Sequence, residues 1–316
     1  MTMNSRLTGV IPPVLTPLNI DGSVDVASLK ALLDFLLEGG VSGLFVLGSS
    51  SEVAYLTDAQ RALVLEVTVN HVSGRVPVLA GVIDMTTPRV IEHAKVAKEL
   101  GADGLVATAP FYTRVSDVEI ERHFRGIRAA VDLPLYAYDI PVCVHSKLSA
   151  EMLIRLGSEG VLAGIKDSSG DEGSLRGVII ARRNSPALEN FSILTGSELT
   201  VDSALNMGAD GVVPGLGNVD PSGYVRLFDF VESQRFEEAR QEQERLHRLF
   251  KLVGAGNPER MGPNSSAIGA FKTGLMLQGV FSTHLTAEPQ VPLNEEEIAV
   301  VAQHLEQAGI SVALSA

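Results

Sequence analysis

Three stretches of the chain share one design: Glu38-Gly-Gly-Val-Ser-Gly-Leu-Phe45, Glu99-Leu-Gly-Ala-Asp-Gly-Leu-Val106 and Asn206-Met-Gly-Ala-Asp-Gly-Val-Val213. In each, a helical pattern stops at a glycine, a polar turn follows, and a second glycine opens a short apolar run. A helix commonly ends on a glycine, and a short apolar run bounded by turn residues reads as a buried strand. This echo constrains the fold more than any other feature, because strands alternating with helices build parallel sheets from βαβ units. Strands are predicted at residues 7–16, 41–48, 76–83, 105–109, 135–140, 161–166, 191–195 and 211–214. Helices are predicted between them at 25–37, 57–71, 87–100, 117–130, 150–156, 172–183 and 200–207. Thr57 and Gln60 have the spacing of a capping box. Prolines near the middle of the first run suit an irregular strand or a barrel rim.

Eight such units within the first 225 residues point to a closed (β/α)8 barrel, whose usual size is about 250 residues. The alternative is an open doubly wound sheet, but no G-x-G-x-x-G follows the first strand to open a dinucleotide site. Residues 226–316 read as an appended helical segment that packs on the barrel or makes subunit contacts. Residues 235–250 interleave acids and bases, which reads as an exposed amphipathic face. Further helices are expected near 267–278 and 294–307, after a loop at 254–266 rich in Gly, Pro, Asn and Ser.

The formal charge of −13 argues against nucleic acid as a partner. No run of about 18 apolar residues marks a membrane span. The start of the chain has no apolar signal core, and the single cysteine, Cys143, allows no intrachain disulfide. Both fit a cytoplasmic setting. Cys143 reads as an ordinary buried thiol without a basic partner. The seven histidines form no H-E-x-x-H or other close ligand pair, so no metal is expected. His145 reads as a loop histidine.

In such barrels the active site lies at the C-terminal ends of the strands. The residues expected there are Ser49, Ser50 and Ser51 after strand two, Phe111 and Tyr112 after strand four, Tyr138 and Asp139 on strand five, Lys166, Asp167 and Ser168 on strand six, and Glu198 after strand seven. A lysine is almost never buried without a partner, and a desolvated amine can attack a carbonyl to form a Schiff base. Gly164, two residues before Lys166 on the same face, leaves room beside it. If strands five and six are neighbours, Tyr138 and Lys166 converge on one small molecule. Each also has a plain reading: a strand-end lysine snorkelling to water, a rim-packing tyrosine, a polar serine loop, a mouth-covering Tyr112, and Glu198 as the cap of the next helix. Taken together, a lysine, a proton shuttle and hydroxyl donors fit imine chemistry.

These residues resemble the dihydrodipicolinate synthase and N-acetylneuraminate lyase family of class I aldolases along about the whole chain. Gly48-Ser-Ser-Ser-Glu52 is similar to that family's G-[ST]-T-G-E loop, Tyr138-Asp-Ile-Pro141 to its Y-[ND]-[IV]-P, and Gly164-Ile-Lys-Asp-Ser-Ser169 to its G-x-K-[DE]-[ST]. The resemblance implies that Lys166 forms an imine with pyruvate or another 2-oxo acid and that Tyr138 relays protons. It implies a hydroxyl relay through Ser49 and carboxylate binding by Ser50. Tyr112 matches a tyrosine that reaches a neighbouring subunit's site, and Val213 a position whose carbonyl faces pyruvate. It also implies a homotetramer and no cofactor. Three departures bear on substrate. Ser51 stands where the family has glycine. Cys143 stands where the synthase branch has an arginine for its second substrate's carboxylate. Gly196-Ser-Glu198-Leu199 keeps one acid of the lyase branch's G-x-D-E, while Ser168 matches a hydroxyl that branch uses on sugar.

The expected function is therefore a Schiff-base lyase acting on a 2-oxo acid with pyruvate as one partner, like N-acetylneuraminate lyase or a 2-keto-3-deoxy sugar acid aldolase. Alternatives within the family are 4-hydroxy-tetrahydrodipicolinate synthase and a 2-keto-3-deoxy acid dehydratase. From another class, the alternative is a non-catalytic sensor of 2-oxo acids.

Overall fold

A computed structural model describes residues 6–313. Its eight strands are β1 (Gly9–Val10), β2 (Leu44–Val46), β3 (Val78–Gly81), β4 (Gly104–Thr108), β5 (Leu135–Asp139), β6 (Gly164–Asp167), β7 (Ser192–Thr195) and β8 (Gly211–Val212). All pair in parallel, in the order β1-β8-β7-β6-β5-β4-β3-β2. Closure between the two ends runs through the chain just after β1. There Pro13 bridges Phe45, Val14 N–H donates to the Phe45 carbonyl (2.8 Å), and Phe45 N–H donates to the Pro12 carbonyl (3.1 Å). The two prolines lack the N–H groups of a regular ladder, which is why β1 is short and its continuation pairs only at intervals. The fold is the expected (β/α)8 barrel, and the open doubly wound alternative is set aside by this closure.

The helices are α1 (Val26–Glu38), α2 (Asp58–Val72), α3 (Thr87–Glu99), α4 (Asp117–Ala130), α5 (Pro141–Val144), α6 (Ala150–Ser158), α7 (Glu172–Asn184), α8 (Val201–Met207), α9 (Pro221–Glu232), α10 (Phe236–Phe250), α11 (Pro263–Leu277) and α12 (Glu295–Gln307). The Thr57–Gln60 capping box forms as expected, and two more open α4 and α12. The short α5 was not anticipated. It begins at Pro141, whose fixed φ suits the first turn of a helix, and ends at His145 in the left-handed region. α11 starts earlier than expected because Pro263 takes its first turn. No helix among the described residues is long and apolar enough to cross a membrane.

The apolar core is continuous from the strands into the C-terminal helices: Leu246, Leu249, Ala270, Leu275, Val301 and Leu305 are all buried with it. α10 is not solely an exposed face. Most of its charges are in solvent, but Glu242 and Gln243 are buried. Glu242 takes Arg226 (2.8 Å) and Arg245 (2.7 Å). Gln243 receives the N–H groups of Val201 (2.9 Å) and Asp202 (3.3 Å) on its Oε1, and donates through Nε2 to the Glu198 carbonyl (3.1 Å). Gln243 thus caps α8, a short helix whose preceding residue, Thr200, makes no side-chain cap.

Candidate active site

β5 and β6 are neighbours, and their register sets Tyr138 directly against Lys166 and Tyr136 against Gly164. Alternation along the strands then puts the two tyrosines and the lysine on one face. Asp139 and Asp167, the next registered pair, are held by other partners. Asp139 bonds Lys147 Nζ and accepts the Leu148 N–H (3.1 Å). Its carboxyl is raised by burial, which outweighs the pull of Lys147. Asp167 accepts the N–H (2.8 Å) and hydroxyl (2.6 Å) of Ser169. These contacts tie down the residues that follow Tyr138 and Lys166.

Lys166 is buried, with 6 % of its surface exposed. Its Nζ lies 4.1 Å from the centroid of the Tyr138 ring and 5.0 Å from that of Phe45. The two rings meet edge to face, with centroids 6.2 Å apart. No carboxylate among the described residues pairs with this amine within 4 Å. Aromatic faces attract an ammonium without bonding it covalently or fixing its direction, so the nitrogen remains available to a ligand. Phe45 was not singled out from the sequence. Its signal was there: it lies two residues before the last apolar residue of its strand, on the alternating face that reaches the Gly48 loop. An added Cβ on Gly48 would lie 2.6 Å from the Phe45 ring, so glycine lets loop and ring meet.

The space at Gly164 is taken up by Tyr136 and Ser192. A Cβ there would lie 2.9 Å from both Tyr136 Cδ1 and Ser192 Cβ. Gly196 belongs to the same cluster. An added Cβ would collide with Ser168 Oγ and lie 3.2 Å from Lys166 Cε. The backbone locks this corner: Ser168 N–H donates to the Asp139 carbonyl (2.8 Å) and Gly196 N–H to the Asp167 carbonyl (2.7 Å). Val213, buried, is fixed by its N–H to the Thr195 carbonyl (2.8 Å). The structure thus brings Lys166, Tyr138, Ser168 and Gly196 together.

Ser49 and Ser50 are partly buried on the loop after β2. Ser51, by contrast, is fully buried. Its Oγ donates to the Val14 carbonyl and accepts the Gly48 N–H (3.2 Å), while Thr16 Oγ1 donates to its carbonyl (2.9 Å). A serine in this loop is therefore a stitch to the chain after β1.

Glu198 does not cap α8. Its Oε1 accepts the Leu216 N–H at 2.6 Å, and its pKa is pushed up to about 7, first by burial, with the Leu216 hydrogen bond and the Lys166 charge pulling the other way. Cys143 corrects another expectation: the thiol is exposed, not buried, because α5 turns it outward. Desolvation raises its pKa, with the Lys166 charge pulling the other way. Tyr112 stands apart at 87 % exposure, with φ +77 in the left-handed region. A tyrosine seldom adopts that backbone. Among the described residues no group of three or more His, Cys, Asp and Glu could hold a metal ion.

A family model described as the dihydrodipicolinate synthetase family matches residues 6–308. An uncharacterized DapA-like lyase of Halobacterium salinarum is 32 % identical over 304 residues, covering 96 % of this chain and 95 % of that one. The 4-hydroxy-tetrahydrodipicolinate synthase of Stenotrophomonas maltophilia is 31 % identical over 310 residues, 98 % of each chain. YagE of Escherichia coli, provisionally named a 2-dehydro-3-deoxy-D-gluconate aldolase, is 33 % identical over 228 residues, 72 % of this chain and 75 % of that one. The crystal structure of YagE in complex with pyruvate superposes with a TM-score of 0.88 at 29 % identity, covering 96 % of this chain and 99 % of that one. With the family model spanning nearly the whole barrel and its helical extension, the chain belongs to the dihydrodipicolinate synthetase family of lyases and aldolases.

Proposed function

We propose that the chain is a lysine Schiff-base lyase that cleaves, or in reverse assembles, a 2-keto-3-deoxy sugar acid with pyruvate as one partner. The observation that carries this reading is Lys166: a buried amine over the Tyr138 ring, with no salt bridge among the described residues. Pyruvate bound in the structure of YagE, a family relative of similar fold, supports the choice of 2-oxo acid. Lys166 Nζ attacks the C2 carbonyl, water leaves, and a protonated imine forms. Tyr138 takes the proton of the C4 hydroxyl, the C3–C4 bond breaks, and its electron pair flows into the imine to leave an enamine while an aldehyde departs. Protonation at C3 and hydrolysis return pyruvate and the free lysine. Ser49 takes part in the proton relay. Ser50 and the backbone around Val213 hold the pyruvate end, and Ser168, Gly196 and Glu198 line the side that receives the rest of the substrate.

Cys143 favours a sugar acid over the synthase's second substrate. An exposed neutral thiol supplies no cation for another carboxylate, whereas Ser168 and Glu198 offer groups that bond hydroxyls. Tyr112, exposed on the single chain, serves a neighbouring copy's site in a homotetramer. The test is borohydride reduction in the presence of pyruvate, read by intact mass. One covalent pyruvate is expected on the wild type and none on Lys166→Ala. An unmodified wild type, or an adduct that persists in the variant, would sink the proposal. A panel of 2-keto-3-deoxy acids is then scored for pyruvate release, and binding without turnover across it would favour a sensor.

A further inference from the structure

The loop that carries Ser49 and Ser50 is bracketed by two non-glycine residues in the left-handed region, Leu47 (φ 59) and Glu52 (φ 60). Such backbone persists where surrounding contacts over-determine it. On the Leu47 side, Gly81 admits the close approach of the Leu47 carbonyl, where any Cβ would collide. On the Glu52 side the contacts come from the far end of the chain. Glu52 is 1 % exposed. Its Oε1 accepts the Ala287 N–H (2.6 Å) and the Gln290 side-chain amide (2.9 Å), and its Oε2 pairs with Lys272 Nζ. Lys272, on α11, is fully buried and also donates to the Leu285 carbonyl (2.8 Å). A buried carboxylate and a buried ammonium must each find partners or stay unsolvated. Here each is the other's only ionic partner among the described residues, so neither can move without the other.

We infer that the Glu52–Lys272 pair is a positioning device, through which α11 and residues 285–290 hold the Ser49–Ser50 loop at the height where it meets the carboxylate of a 2-oxo acid. Neither residue touches the reacting atoms; both act through the loop. The substrate side of this inference rests on the function proposed above. Lys166, on β6, is reached by none of these contacts, so the loop and the lysine separate in their response. Loss of the pair weakens capture of pyruvate while leaving the amine able to form an imine.

The experiment compares wild type, Lys272→Met, the charge-free double variant Glu52→Gln/Lys272→Met, and Gln290→Met, a milder variant should the others fail to fold, which removes the amide donated to Glu52 and the bond accepted from Asn264 while leaving the ion pair. Two quantities are read on protein of native circular dichroism: the pyruvate concentration giving half-maximal borohydride trapping, and the trapped fraction at saturation. Displacing the loop by about 1 Å is expected to raise the half-saturating concentration by roughly 10-fold or more with full trapping at saturation, and by less in Gln290→Met. Amide exchange of residues 48–56 is expected to quicken in step. Folded variants with wild-type half-saturation, or with unchanged exchange in that loop, would overturn the inference alone. Failure of the wild type itself to trap pyruvate would take down the proposed function and this inference together.

Discussion

Gly196→Ala places one methyl group where the site is tightest. The backbone of Gly196 lies outside the left-handed region, so alanine is not disfavoured there by φ. What the new Cβ meets decides the outcome. It collides with Ser168 Oγ, lies 3.1 Å from Ser168 Cβ and 3.2 Å from Lys166 Cε. The lysine contact asks for a shift of a few tenths of an ångström, whereas the serine cannot stay where it is. A misplacement of about 1 Å at a reacting group can lower a rate by about 100-fold. The lysine shift alone then lowers imine formation several-fold, and the displaced serine carries the total to between roughly 10- and 100-fold, or about 1.4 to 2.7 kcal/mol. The assay is the rate of borohydride-trappable imine formation at saturating pyruvate. Removing the serine side chain removes the collision, so Gly196→Ala with Ser168→Gly should recover most of the loss relative to Ser168→Gly alone, a coupling expected only of residues in contact. A wild-type rate in Gly196→Ala, or a double variant no better than the cycle's additive sum, would refute the placement of Gly196 against both side chains.

Tyr138→Phe keeps the ring beneath Lys166 Nζ and removes the phenol, so turnover of a 2-keto-3-deoxy acid should fall by about 100-fold or more while imine trapping survives in part; unchanged turnover would take Tyr138 out of the proton relay. His123 supplies a test in stability. It is buried on α4, bonded to Thr87 Oγ1 (2.9 Å), and burial lowers its pKa from 6.5 to about 4. Between those values the unfolded chain binds a proton that the native one refuses, so its contribution is present above pH 6.5 and lost as pH falls through about 4. At about 1.4 kcal/mol per pH unit this comes to about 3 kcal/mol. Unfolding free energies from urea titrations between pH 7.5 and 4 should fall less in His123→Asn, by up to that amount, and parallel curves would contradict it.

The alternation of strands and helices was legible because each unit carries its own local signals: an apolar run, a helical stripe, a glycine between them. The Tyr138–Lys166 pairing could be stated only as a condition, since strand neighbours and register are properties of the closed barrel. Once β5 and β6 pair, the condition is met residue for residue. Cys143 was misread for a local reason. Proline at 141 starts a turn of helix that faces the thiol outward, and a four-residue helix leaves no periodicity to detect. For Glu198 the sequence left two readings open, a helix cap and a site residue, because a carboxylate before a helix is compatible with a cap. The competing donor, Leu216 N–H, comes from the far side of β8. Gln243 and Lys272 were invisible for the same reason on a longer scale. Gln243 sits in an ordinary amphipathic helix and Lys272 in a largely buried one, and the side chain or backbone group that each holds in the site's support lies 40 or more residues away.

The two buried lysines show what distinguishes a candidate nucleophile from a structural cation. Both lie in the interior and both follow an apolar stretch, so burial alone does not separate them. Lys272 is held by the Glu52 carboxylate and the Leu285 carbonyl. A negative charge at its nitrogen favours the ammonium form, although burial pulls its pKa down, and the bonds leave no lone pair facing a cavity. Lys166 has the ring faces of Tyr138 and Phe45 at its nitrogen and a glycine corner beside its stem, with no salt bridge among the described residues. On the reading proposed above, Lys166 is, of these two buried lysines, the one whose nitrogen is not already bonded to oxygen, and so the one that a 2-oxo acid's carbonyl can engage.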